Sequence, residues 1–253
     1  MAVKPQPIQS SLANKTNVIF VVLLAVAAFL LGSLWTEVRY LKKTNSEKGS
    51  PTANNPSLAN PPSAVAYEDV KPISREDHIR DSRNAQILLV EYSDLECPFC
   101  KEFHPVILQA IKDYQGQFAL VFRHFPLDLK HPKARKEAEA TECAGELGGE
   151  KGFWNMVDKI FEVTPSNNGL NLDDLPKLAG QIGLNQQSFK NCLDSGKFVK
   201  KVEDDYQSGI KAKVTGTPGD ILINTKTKKI VTLPGYVSLE QLKQAIDSLL
   251  AEK

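Results

Sequence analysis

The chain has 253 residues, with 31 Lys and Arg against 30 Asp and Glu, and a formal net charge of +1. That balance lacks the clustered basic excess that phosphate backbones require, so no nucleic-acid partner is expected. Four cysteines are too few for a disulfide-stapled miniature scaffold, and the length allows a core without staples, in one or two domains.

Thr16 to Thr36 carries no charge, and Val18 to Leu31 is unbroken apolar sequence. A helix of about 20 residues just crosses a hydrocarbon core of about 30 Å. A cleaved signal peptide and a retained anchor compete here. The apolar run is long for a signal peptide and does not end in a small-x-small site, although Ala25-Val26-Ala27 lies inside it. The expectation is a tail and single signal-anchor over residues 1–43, with the span at about 16–36 and Trp35 and Tyr40 at the interface. Lys4 and Lys15 precede the span, and Arg39, Lys42 and Lys43 follow it. By charge alone this leans toward a cytoplasmic C-terminus. Residues 44–66 are rich in Asn, Ser, Pro and Ala and show no apolar period, which predicts a flexible linker.

The folded domain is expected over residues 67–253. Gln86 to Ser93 reads as a strand buried on both faces. Phe99, Phe103, Val106, Ile107, Ala110, Ile111 and Tyr114 then mark one stripe of a helix, with Pro98 at its first position, Pro105 as a kink and Gly116 past its end. Phe118 to Phe125 is a second apolar strand. From about 131 to 212 the pattern is helical. Its stripes are Ala134, Ala138 and Thr141; Phe153, Trp154, Val157, Ile160 and Phe161; and Leu172 to Ile182 with Asn171 as cap. A short helix through Phe189, Cys192 and Leu193, ended by Gly196, and a last stripe at Val199, Val202, Tyr206 and Ile210 complete it. Asp220–Asn224 and Lys229–Leu233 predict a hairpin, and Leu239 to Leu249 a final helix capped by Ser238.

Cys97-Pro98-Phe99-Cys100 stands at the junction of the first strand and first helix. Such a pair reads as half a zinc site, an inert disulfide or a redox couple. Zinc needs four ligands; there is no second Cys-x-x-Cys, and His78, His104, His124 and His131 have no paired spacing. No metal and no other cofactor is therefore expected. An inert bridge has no need of a strand-turn-helix context. The redox reading has a mechanism: at a helix start, free amides and the dipole favour a Cys97 thiolate, which is the nucleophile of exchange. Cys100, one turn in, would resolve the mixed disulfide. Pro98 and Phe99 carry no charge, so the pair has less thiolate stabilisation than an intervening His would give.

Val90 to Cys100, then Arg123-His124-Phe125-Pro126-Leu127, then Val214-Thr215-Gly216-Thr217-Pro218 together resemble the DsbA-like branch of the thioredoxin superfamily. The resemblance covers about Asp77 to the C-terminus. It implies an α/β thioredoxin-like fold with a helical insertion between an N-terminal βαβ part and a C-terminal ββα part. It implies a cis bond before Pro218, substrate pairing and redox tuning by Thr217, and a buried proton-relaying acid at Glu91. Cys143 and Cys192, on two helices of the insertion, are implied to form a structural disulfide. Gly219-Asp220-Ile221 departs from the family's usual Thr and aromatic residues after this proline, so substrate preference transfers less readily than redox chemistry.

The function expected is an extracytoplasmic thiol–disulfide oxidoreductase, an oxidase toward exported protein thiols that is re-oxidised by a membrane partner of the DsbB or quinone-reductase type. A reductase or isomerase using the same cysteines is the alternative, and a non-catalytic tethered module the second. Two disulfide sites behind a hydrophobic span fit an oxidising exterior, which outweighs the charge lean and sets the C-terminal domain outside. A monomer is expected.

Overall fold

In a computed structural model, which describes residues 65–252, β2 (Ile87–Ser93) and β3 (Phe118–His124) run parallel at the centre of a five-stranded sheet. β1 (His78–Arg80) flanks β3 antiparallel, β4 (Gly219–Asn224) flanks β2 antiparallel, and β5 (Ile230–Leu233) closes the far edge, for the order β1-β3-β2-β4-β5. The architecture is the expected α/β one. The anchor at 16–36, the segment 1–43 and all but the end of the linker 44–66 lie outside the described residues. Among the described residues no helix is long and apolar enough to cross a membrane. Val65 already packs against the core, so the folded part reaches into the stretch that composition assigned to the linker.

Every residue of β2 and β3 is buried, which is why both read as continuous apolar runs rather than alternating ones. Helix α1 (Pro98–Tyr114) covers the face carrying Ile87 and Leu89, through Phe103, Ile107 and Ala110. It runs through Pro105 to a left-handed Gln115-Gly116 ending. Leu88, Val90 and Tyr92 face a second cluster with Val121, Phe125 and Ile221.

The helical insertion comprises α2 (Ala134–Val163), α3 (Leu175–Gln181), α4 (Gln186–Ser195) and α5 (Val199–Lys211). α2 is interrupted at Gly149, whose φ of 63° leaves the helical region; this separates the two predicted stripes. Asn171 and Asn185 cap as side-chain acceptors, and Ser238 forms a capping box with Gln241 at the start of α6 (Leu239–Leu250). Two expectations need correction. The stripe assigned to α5 buries Val202, whereas Val199 and Ile210 are exposed, because α5 turns its small residues Ser208 and Gly209 to the sheet. A Cβ at Gly209 would lie 2.5 Å from Phe125 Cδ2, so the helix can approach this closely only without one. β1 has no counterpart in the sequence reading, since His-Ile-Arg carries a single apolar residue.

Cys143 of α2 and Cys192 of α4 are joined in a disulfide across 49 positions. Replacing both with Ala is expected to lower stability by about 2–4 kcal/mol. Urea unfolding of the variant and the native chain under non-reducing conditions measures the difference.

Candidate active site

The segment before α1 is fixed by buried acids. Asp94 Oδ1 accepts from the Glu96 amide at 2.8 Å, while its Oδ2 accepts from Leu127 N at 2.8 Å and faces His131 Nδ1 at 2.9 Å. The Asp94 carbonyl accepts from Cys97 N at 3.0 Å, which places Cys97 at the N-cap of α1 and Pro98 at its first position. Glu96 is fully buried and accepts from the amide of Gly169 at 3.1 Å and the hydroxyl of Thr164 at 3.3 Å. Burial, with the adjoining Glu96, pushes the Glu137 carboxyl up to about 10. These side chains bind the loop after α2 to the residue preceding Cys97.

Cys97 Sγ lies 3.4 Å from the Thr217 carbonyl oxygen, and the Thr217–Pro218 bond is cis. Gly219 lets this loop close down, because a Cβ there would sit 2.4 Å from Val214 Cγ1. Cys97 retains 4% of its surface, Cys100 none, and Phe99 between them is 57% exposed. A hydrogen bond from Cys100 lowers the Cys97 thiol to about 6, against the opposing effect of burial, with the Thr217 side chain and the Phe99 and Cys100 amides adding to the lowering. Burial, and the hydrogen bond and charge of Cys97, push Cys100 well above the usual thiol range. The pair is therefore asymmetric: at neutral pH Cys97 is a thiolate and Cys100 a thiol.

Glu91 projects from β2 on the α1 side of the sheet, fully buried, with Ser93 donating to its Oε1 at 2.8 Å. Burial raises its carboxyl to about 7, with the Cys97 charge adding to the rise. The fold thus brings Cys97, Pro98, Phe99, Cys100, Glu91, Thr217 and Pro218 to one end of the sheet, and places Cys143 and Cys192 in the insertion. Asp94, Glu96, His131 and Asp220 were not anticipated. Nothing in their local sequence marks them as buried, although an acid two places after Pro218 departs from the apolar run Ile221-Leu222-Ile223.

One group of potential metal ligands lies elsewhere among the described residues, at His124, Glu142 and Asp205. Lys201 Nζ is 2.6 Å from Asp205 Oδ2 and 3.7 Å from Glu142 Oε1, so an ammonium already supplies positive charge there.

Residues 74–248 match the model of the family described as Thioredoxin. The chain belongs to the thioredoxin family. This thioredoxin-family chain is similar to Pseudomonas aeruginosa DsbA2, at 30% identity and a TM-score of 0.62, over 72% of this chain and 100% of that one. Wolbachia pipientis alpha-DsbA1 matches at 26% identity and a TM-score of 0.61, over 73% and 95% of the two chains. Among curated relatives, Na(+)/H(+) antiporter NhaA 3 of Salinispora tropica is 33% identical over 179 residues, 69% of this chain. The chain spans about a quarter of the length of that relative. By family and fold the protein is thioredoxin-like, with the architecture of the DsbA-type structures that it matches.

Proposed function

We propose that the protein is an extracytoplasmic oxidase that hands a Cys97–Cys100 disulfide to exported protein thiols. A substrate thiolate attacks Cys97 Sγ, the S–S bond breaks, and Cys100 leaves with the electron pair and takes up a proton. A second substrate thiolate then attacks the substrate sulfur of the mixed disulfide, releasing Cys97 as a thiolate. The observation that carries this direction is the lowered Cys97 thiol. A thiolate held near 6 rather than 9 stabilises the reduced fold above pH 6, and that advantage is lost as pH falls through 6. At pH 7 it amounts to about 1.4 kcal/mol, or about 30 mV in a two-electron couple, and it makes the disulfide easier to give away.

The Cys143–Cys192 bridge supports an oxidising compartment, and the apolar run at 16–36 supports a membrane anchor with the domain outside. Re-oxidation falls to a membrane partner of the DsbB or quinone-reductase type. Equilibration with glutathione buffers tests the direction. Thioredoxin, with a thiol near 7, lies at about −270 mV, and DsbA, near 3.5, at about −120 mV. Cys97 falls between them, so a value above about −250 mV is expected; one at or below it moves the reading to a reductase.

A further inference from the structure

Asp220 is 1% exposed, and neither carboxyl oxygen has a hydrogen-bond partner among the described residues. In the β2–β4 ladder it stands directly opposite Glu91, whose Oε2 is likewise buried and unpartnered. Facing residues of an antiparallel pair bring their Cβ atoms within about 5 Å. Both acids point to the face covered by α1, since Leu89 and Leu222, two positions along each strand, belong to the cluster containing Cys97, Cys100 and Phe103. Two acids without counter-cations, behind two thiols, are costly to bury unless they hold protons or exchange them.

We propose that Asp220 is the second acid of a carboxyl pair with Glu91 that gives and takes the Cys100 proton. The inference rests on Cys97 and Cys100 as the reacting sulfurs. Asp220 acts through Glu91, as a positioning and proton-supplying residue, not on the sulfur itself. When a thiolate attacks Cys97 and Cys100 departs as a thiolate, the Glu91 carboxylic acid protonates it and becomes a carboxylate. Asp220 then passes its proton to Glu91. Re-oxidation runs the same transfers backward, with the Cys100 proton going to the Glu91 carboxylate.

Ser93 donates to Glu91, and the other neighbours of the pair are apolar. β3 sets Phe122 opposite Glu91, β5 sets Leu233 opposite Asp220, α1 adds Phe103, and Leu242 and Ile246 of α6 line the same cluster. Cys97 and Cys100 are the titratable groups that face it. Burial and the Glu91 charge push Asp220 well above the usual carboxylate range. Two facing carboxyls this close and this buried do not both ionise, so the pair keeps one proton at pH values where a lone Glu91, at about 7, has lost its own.

The test is a stopped-flow reduction of the oxidised full-length chain by reduced glutathione from pH 6 to 8, with rates expressed per glutathione thiolate. In Asp220→Asn, Glu91 is the only donor, and its protonated share falls about tenfold between pH 6 and 8. The native-to-variant rate ratio is expected to grow about tenfold over that range. A ratio that stays constant with pH overturns the proposal. Failure of the native chain to form a Cys97 mixed disulfide would instead sink the assignment of the reacting sulfurs. Asp220→Thr, close in volume and suited to a strand, repeats the test if the Asn variant does not fold. In the native chain, the reduced-minus-oxidised infrared spectrum at pH 8 should contain a perturbed carboxylic-acid stretch; its absence also overturns the proposal.

Discussion

Cys97→Ser is expected to abolish disulfide exchange, lowering the rate by about a thousandfold or more to the solution background. A hydroxyl at this position offers neither a thiolate nor a sulfur for a substrate to attack. Cys100→Ala should fail differently. Cys97 still reacts, but no second sulfur resolves the product, so a mixed disulfide accumulates. The same substitution removes the hydrogen bond that contributes most to lowering the Cys97 thiol from 9 to about 6. The thiolate midpoint, followed by ultraviolet absorbance against pH, should therefore rise in Cys100→Ala. In the native reduced chain, alkylation at pH 7 should modify Cys97 and spare Cys100, which is fully buried and protonated. Undiminished exchange by Cys97→Ser would place the chemistry elsewhere.

Asp77→Ala should cost about 3–5 kcal/mol, a large share of the 5–15 kcal/mol that holds a typical domain together. Arg123 is fully buried on β3. Its Nε donates to Asp77 Oδ1 at 2.9 Å, its Nη1 to the Tyr92 hydroxyl at 3.1 Å, and its Nη2 to the Lys71 carbonyl at 2.8 Å. Asp77 is the one carboxylate in this set, so removing it leaves a guanidinium in the interior without its counter-charge. Pairing Asp77→Leu with Arg123→Met should recover much of the loss, because the desolvated charges then vanish together. A double-mutant cycle by urea unfolding measures both effects. Burial pushes the Asp77 carboxyl up, but Arg123 outweighs it and holds it below the usual range. A depressed acid contributes its stability above the unfolded value, near 3.8, and loses it as pH falls through the folded value. The native chain should therefore lose stability below about pH 4 by more than the double variant does. Equal acid sensitivity of the two would show that Asp77 is not a source of it.

The Arg123-His124 run illustrates where sequence and fold divide the information. As letters it is part of a family resemblance. Its physical reason appears only when Arg123 meets Asp77 and His124 Nε2 meets Glu142 Oε1 at 3.1 Å. Both partners come from separate elements, β1's approach and α2. Likewise, Cys143 and Cys192 pair because α2 and α4 pack together, and Glu91 faces Asp220 because β4 joins β2 in that register.

What the sequence by itself determined is local. The apolar periods, the Asn171 and Ser238 caps, the Gly196 stop and the Cys97-to-Cys100 spacing at a helix start depend on neighbours within a few residues. They were enough for the order of elements from β2 onward and for locating the reactive sulfurs. Only the tertiary structure decided how far burial drives the two thiols apart, which unforeseen carboxyls are buried, and which face of α5 meets the sheet. Those properties come from desolvation and charge proximity between strands and helices far apart in the chain, and no local pattern encodes them. Asp220 is the sharpest case. Its chain neighbours place it at the start of a predicted strand, and only the strand register sets it opposite Glu91, behind the cysteines, and out of water.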